Sequence, residues 1–164
     1  MLANKRYTLP LILVVLLALT ASSVLAANPH FITARASGPD GAGAMTVNFK
    51  IAGLGNNITT TITAGANATA LYACRNNGGN FPRDPKKQQV SGPVSRSGQY
   101  TSGRNGQITG SLSFYPPPTS LTCPPGQRPV LVKVTYTNGY VREPHAGMYS
   151  IPGTFTRTYY KLRK

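Results

Sequence analysis

The residues whose types and spacing point most directly to chemistry are the only two cysteines of the chain, Cys74 and Cys123. Cys74 ends an apolar, β-like run and precedes a long polar loop, and Cys123 follows a second β-like run. Two cysteines in an exported chain predict one disulfide, which would close a loop of about 50 residues, worth about 4 kcal/mol of chain entropy. The alternatives are two free thiols or part of a metal site. A metal site needs further ligands, and the only histidines are His30 and His145, so we expect a disulfide and no metal.

Basic residues and one aromatic residue lie in the two loops that this disulfide would join. Basic groups beside exposed aromatic rings bind anionic sugars or single-stranded nucleic acid. The alternative is a solvated loop whose Phe81 packs on the edge of the domain. The candidate contacts for an anionic ligand are Arg75, Phe81, Arg83, Lys86, Lys87 and Arg128.

Acidic residues are too few and too scattered to indicate catalysis. The chain has three, Asp40, Asp84 and Glu143, and each lies in a predicted turn or loop. Glycoside hydrolysis usually requires two facing carboxylates, and a serine hydrolase requires a histidine base with a nucleophile motif. Glu143 lies two residues before His145, which suggests a dyad, but no nucleophile motif accompanies it. We expect turn formation by all three acids, pairing of Glu143 with Arg142 or a loop lysine, and neither catalytic residues nor a cofactor.

The N-terminus has the three parts of a secretory signal peptide. Basic residues precede the apolar run Leu9–Leu19, and Val24 and Ala26 occupy the −3 and −1 positions of a cleavage site. The alternative, an uncleaved membrane anchor, needs about 20 apolar residues, more than this run provides. We therefore predict a signal peptide at 1–26 and a single domain at 27–164 that is secreted.

Basic residues greatly outnumber acidic residues in the chain, both with and without the predicted signal peptide. The whole chain has 17 basic and three acidic residues, a net charge of +14, and removal of the signal peptide leaves 15 against three, or +12. Such an excess predicts affinity for anionic partners such as wall polymers, acidic polysaccharides, lipid headgroups or extracellular nucleic acid. The alternative is that the charge only keeps a secreted domain soluble.

Short runs rich in Thr, Val, Ile, Tyr and Phe, separated by Gly, Pro, Asn and Ser, predict eight or nine β-strands. A two-layer antiparallel β-sandwich, immunoglobulin-like in general architecture, buries one face of each strand. The runner-up is a small antiparallel barrel. The expected strands are His30–Ala36, Met45–Ile51, Ile58–Thr63, Thr69–Arg75, Val90–Ser102, Ile108–Tyr115, Val130–Tyr136, Met148–Ile151 and Thr154–Tyr160.

Turn residues add four finer expectations. The Thr-rich run Ile58–Thr63 is predicted to be an exposed or edge strand, and Ala64–Asn67 is predicted to be a turn. Asn105-Gly106 is predicted to join two paired strands through a three-residue loop with Gly106 left-handed, because the apolar residues on both sides have even numbers. Asn138-Gly139 is either a turn or a bulge. Pro152 indicates an edge position or a bulge in the last strand.

Several segments together resemble a group of small secreted proteins of Gram-positive-type mycelial bacteria. The likeness extends roughly from Val47 to Thr158, and the segments that carry it include TTTITAGANATALYAC, SLTCPPGQRPVLVKVTYTN and SIPGTFTRT. The resemblance implies a shared exported domain with a cysteine pair. It implies no activity and provides no catalytic or binding residues.

Three functions are consistent with these features. The first is a secreted, non-enzymatic protein that binds an anionic wall, matrix or surface ligand through basic loops. The second is a structural surface protein whose copies pair through the Thr-rich strand Ile58–Thr63 and the Tyr-rich C-terminus, and the third is an enzyme. The sequence leaves open the ligand, the oligomeric state and the use of the Asn57 and Asn67 sequons.

Overall fold

Alternation of apolar and polar residues produces eight β-strands in residues 28–162, the part of the chain that the computed structural model describes. In chain order they are β1 (His30–Ser37), β2 (Met45–Ala52), β3 (Thr59–Asn76), β4 (Lys87–Thr101), β5 (Ile108–Phe114), β6 (Gln127–Glu143), β7 (Gly147–Ile151) and β8 (Phe155–Thr158). The predicted signal peptide, at 1–26, lies outside the described residues. Within residues 28–162, no helix has the length and apolar character needed to cross a membrane.

The strands form two antiparallel sheets, so the predicted β-sandwich is confirmed and the barrel alternative is wrong. Sheet A has three strands in the order β1-β2-β5. Sheet B has the order β4-β3-β6, with β7 and β8 both pairing with β6 at one edge. Across the interface β5 lies beside β4, and β1 lies beside β7. Each sheet therefore has one face in the core and one outer face.

Large side chains of sheet A pack against small side chains of sheet B. Met45, Val47, Phe49 and Ile51 on β2 are at most 2% exposed. Opposite them, β3 contributes buried alanines at 64, 66, 68 and 70. Large side chains facing small ones are suited to sheets that pack about 10 Å apart. Alternate residues of β2 therefore point into the core.

A single long strand, β3, replaces the predicted turn at Ala64–Asn67. It runs without interruption through 18 residues and pairs with β4 on one side and β6 on the other. Glycine is required at position 65 because the Tyr140 ring of β6 lies over it. A Cβ at Gly65 would be 2.7 Å from the Tyr140 hydroxyl oxygen. The exposed or edge character expected for Ile58–Thr63 is observed in part, because residues 59–62 pair with β4 only and Thr63 is the first residue of β3 that also pairs with β6.

The predicted hairpin around Asn105-Gly106 is wrong as well, because β4 and β5 belong to different sheets. Gly106 does have the expected left-handed conformation, with φ 69°. Buried Ser102 marks the point where the chain crosses between the sheets. Its hydroxyl accepts a hydrogen bond from the Ile58 N–H (2.9 Å) and donates one to the Gly55 carbonyl (2.6 Å). The connection between β4 and β5 is thus bonded to the connection between β2 and β3.

Strand β6 continues past Asn138-Gly139, so the bulge alternative is the observed one. Asn138 has φ 53°, and the register with β3 shifts at this point. The edge position indicated by Pro152 is confirmed. Pro152-Gly153 separates β7 from β8, and both strands pair with β6 only. The long central strands β3 and β6 therefore position every other element of sheet B.

Candidate functional site

The disulfide between Cys74 and Cys123 is formed, with the two Cα atoms 5.6 Å apart. Cys74 lies inside β3, two residues before its end, rather than at the end of the strand. Cys123 lies in the connection between β5 and β6. Hydrogen bonds hold the same connection against sheet B, since the Tyr72 hydroxyl donates to the Pro117 carbonyl (2.8 Å) and the Thr119 hydroxyl donates to Gln88 Oε1 (2.6 Å).

The side chain of Arg75 lies on the opposite face of β3 from that of Cys74, because neighbouring residues of a strand point to opposite faces. Its guanidinium carbon lies 4.7 Å from the Tyr160 ring centroid and 5.8 Å from that of Phe81. The group donates to the Gly79 carbonyl through Nε and to the Tyr160 hydroxyl through a terminal nitrogen at 3.2 Å. The Phe81 and Tyr160 rings meet nearly edge to face, with centroids 5.4 Å apart. Arg75 therefore fixes the β3–β4 loop and the C-terminal segment to sheet B.

The other predicted cations stay exposed around this stack. Arg83 and Lys86 lie in the loop at 77–86, and Lys87 is the first residue of β4. Arg128 was expected in the second cysteine loop, but it lies in β6, directly opposite Arg75. Lys87 is paired with the residue two positions before Arg75, so Lys87 and Arg128 share the outer face of sheet B.

We call Arg75, Arg83, Lys86, Lys87 and Arg128 the basic pole. Residue and strand spacing put the Cα atoms of Lys87 and Arg128 about 12 Å apart, one on each side of the Arg75 stack. An extended anionic chain laid across β4, β3 and β6 would meet both cations. Phe81 is half-buried against Tyr160, so it does not offer an open stacking surface.

Of the three carboxylates, only Asp84 lies at this surface. Asp84 is exposed in the same loop as Arg83. Asp40 has the expected turn role, since Oδ1 accepts from the backbone N–H groups of Ala42 and Ala44, both at 2.8 Å. Glu143 is fully buried at the end of β6.

Glu143 is hydrogen-bonded by backbone and hydroxyl donors, which confirms its expected turn role but matches neither the expected ion pair nor a dyad with the His145 ring. Oε1 accepts from the Thr60 hydroxyl at 2.6 Å, and Oε2 accepts from the N–H groups of His145 (2.7 Å) and Ala146 (2.6 Å). None of the three donors belongs to Arg142 or to a lysine, so these bonds are not the expected ion pair. The contact with His145 involves its main chain and not its ring. The carboxylate therefore organises the turn between β6 and β7.

No cluster of three or more His, Cys, Asp or Glu residues that could hold a metal ion occurs in residues 28–162. No protein-family model matches the chain, and no curated protein is significantly similar to it. The resemblance to the secreted proteins of mycelial bacteria stays a prediction.

Sequence reasoning selected the residues of the basic pole but missed Tyr160. Tyr160 follows β8, and its backbone N–H bonds to the Val132 carbonyl at 3.3 Å, which brings the ring to Arg75. No local pattern signals this contact, because Arg75 and Tyr160 are 85 positions apart in the chain.

Proposed function

We propose that the protein is a secreted, non-enzymatic β-sandwich that associates with an anionic wall, matrix or surface polymer through its basic pole. The observation that carries the proposal is the register that places Lys87 and Arg128 on one face, flanking the fixed Arg75. Secretion is supported by the disulfide and by the signal peptide that the sequence predicts.

Charge distribution favours a polymer over a small ligand. The pole is an open strand end with cations spread over three neighbouring strands and a loop, and the net charge of the whole chain is +14. Burial of Glu143 removes one of only three carboxylates from the surface. Several separated cations bind best to a ligand with repeated anionic groups, since each exposed pair contributes little by itself.

The structure provides less support for self-association through the Thr-rich run. Residues 59–63 are already paired with β4, and only residues 59–62 lack a β6 partner, so a second copy could pair along at most four residues, of which Thr60 and Ile62 are buried. We therefore advance no second function.

The test is salt-dependent retention on an immobilised linear polyanion such as dextran sulfate. One variant replaces Lys86, Lys87 and Arg128 with glutamine. A matched control, with the same net charge, replaces the exposed Arg96, Arg104 and Arg142. We expect the pole variant to elute at clearly lower salt than the control, with the salt dependence of log K reduced by about one for each lost contact. Equal elution of the two variants would mean that retention comes from diffuse charge, and the proposal would be wrong.

A further inference from the structure

The outer face of sheet A carries a second concentration of hydrogen-bond donors, separate from the basic pole. A shallow open depression of about 620 Å³ lies over β1, β2 and β5. Its floor is strand backbone around Phe49 and Gly110, and the Phe49 ring itself points into the core with 2% exposure. The side chains around it are Thr33, Arg35, Asn48, Lys50, Thr109 and Ser111.

Strand register arranges these six side chains in two rows across the sheet. Lys50 of β2 is paired with Thr33 on one side and Thr109 on the other. Asn48 is likewise paired with Arg35 and Ser111. The rows lie about 7 Å apart along the strands, and neighbours within a row lie about 5 Å apart. Each row therefore combines one cation with two neutral polar groups.

The charge of the two cations has no counterpart in this face. All three acidic residues of the chain lie elsewhere, in the β1–β2 turn, in the β3–β4 loop and buried at the end of β6. In the next row, by contrast, the Thr46 and Ser113 hydroxyls are hydrogen-bonded to each other at 2.7 Å. A depression lined by Arg, Lys, an amide and hydroxyls is suited to a ligand that carries both anionic groups and hydroxyls.

The side chains that line the depression fit some anionic polymers better than others. Arg35 offers a planar fork that matches a carboxylate, and Asn48 with the hydroxyl residues can bond sugar hydroxyls. Single-stranded nucleic acid is bound with aromatic rings on which bases stack, and none of the six lining side chains is aromatic. A sugar chain with carboxylates is therefore the best match.

We propose that this face binds a linear acidic polysaccharide, with Arg35 and Lys50 on its carboxylates and the amide and hydroxyl side chains on its ring hydroxyls. The inference rests on the proposed association with an anionic polymer and names the ligand class at a site on the other sheet.

The test is calorimetric titration of the protein with short oligogalacturonate at moderate salt. Replacing Arg35 and Lys50 with glutamine should weaken binding at least tenfold, whereas the control pair Arg96→Gln and Arg142→Gln should stay within twofold of wild type. Methyl-esterified oligogalacturonate, which lacks the carboxylate charge, should not bind measurably. An unchanged affinity in the Arg35 and Lys50 variant, or equal binding of the methyl ester or of polyphosphate, would overturn the proposal.

Two further measurements separate this site from the basic pole and from a folding defect. The variant of Lys86, Lys87 and Arg128 should bind the short oligosaccharide as wild type does, even though its retention on a long polyanion falls. Amide chemical shifts of the wild-type protein should change on β1, β2 and β5 when oligogalacturonate is added. Shift changes confined to the basic pole would contradict the site, while the proposed function would still stand.

Discussion

Glu143 offers the sharpest test of how the structure uses its few carboxylates. It is fully buried, and the Thr60 side chain that donates to it is 8% exposed. Its three hydrogen bonds, of 2.6–2.7 Å, join the end of β6 to β3 and to the turn before β7. We expect replacement of Glu143 by alanine to destabilise the fold, with the turn loosened first.

The magnitude follows from the donors that lose their acceptor. A hydrogen bond to a charged group contributes about 1.5–3 kcal/mol, and a buried donor left without a partner costs about 1–3 kcal/mol. The two N–H groups belong to an exposed turn where water can replace the carboxylate, but the Thr60 hydroxyl is buried. We expect a loss of about 3 kcal/mol in the free energy of unfolding, or roughly 10 °C in Tm for a domain of this size.

Glu143→Gln keeps the shape of the side chain, so it should cost about half as much as Glu143→Ala. Its oxygen can still accept from the two N–H groups, while its amide donates to the Thr60 hydroxyl. Thr60→Val should be destabilising by itself and less than additive with Glu143→Ala, because the two changes remove a shared bond. Asp84→Ala, at an exposed loop position, is the control and should be nearly neutral.

The measurement is urea denaturation followed by tyrosine fluorescence, with retention on the polyanion recorded in parallel. A Glu143→Ala protein as stable as the Asp84→Ala control would refute the assignment of the carboxylate to the turn. Full additivity of Thr60→Val and Glu143→Ala would show that the two residues do not share a bond in solution.

Three further predictions concern the fold. Gly110→Ala should lower the free energy of unfolding, measured by thermal denaturation, by about 1–3 kcal/mol, because the new Cβ would be 2.5 Å from the Tyr100 ring. The control Gly92→Ala, whose Cβ would have nothing within 4 Å, should be neutral or slightly stabilising. Equal effects of the two substitutions would contradict the packing. Burial raises the pKa of Tyr136 well above its usual range, so its contribution to stability is complete below about pH 10 and is lost as the pH rises above it. Tyr136→Phe should therefore reduce that alkaline loss of stability, and exposed Tyr115→Phe should not. Reduction of the disulfide should lower the free energy of unfolding by about 4 kcal/mol for a loop between cysteines 49 positions apart, and equal denaturation midpoints with and without reductant would contradict this.

Local pattern predicted which face of β4 and β5 is buried. The even-numbered residues of these two strands, apart from exposed Arg96, are the less exposed ones, as their apolar positions indicated. Period 2 determines the face of a strand but not its neighbour, because pairing depends on register with distant segments. For this reason the even-numbered residues were placed correctly, while the hairpin that was meant to join them was wrong.

The turn predicted at residues 64–67 is wrong because tertiary structure overrides the local conformational preference of these residues. Alanine, glycine and asparagine at 64–67 favour a turn by themselves. In the fold, small residues are what the inner face of β3 needs opposite the large side chains of β2, and pairing on both edges keeps the strand extended. A sequence window has no information about the size of side chains in the opposite sheet.

By itself, the sequence determined the β-rich character, the disulfide, the excess of positive charge and the candidates of the basic pole. These follow from residue type and from alternation, which are local properties. Only the tertiary structure decided that Arg75 is stacked on Tyr160, that Glu143 is buried in a turn, and that Arg35 and Lys50 lie in adjacent rows of one face. Each of these depends on residues far apart in the chain, and the physical reason is that strand pairing and sheet packing bring such residues together.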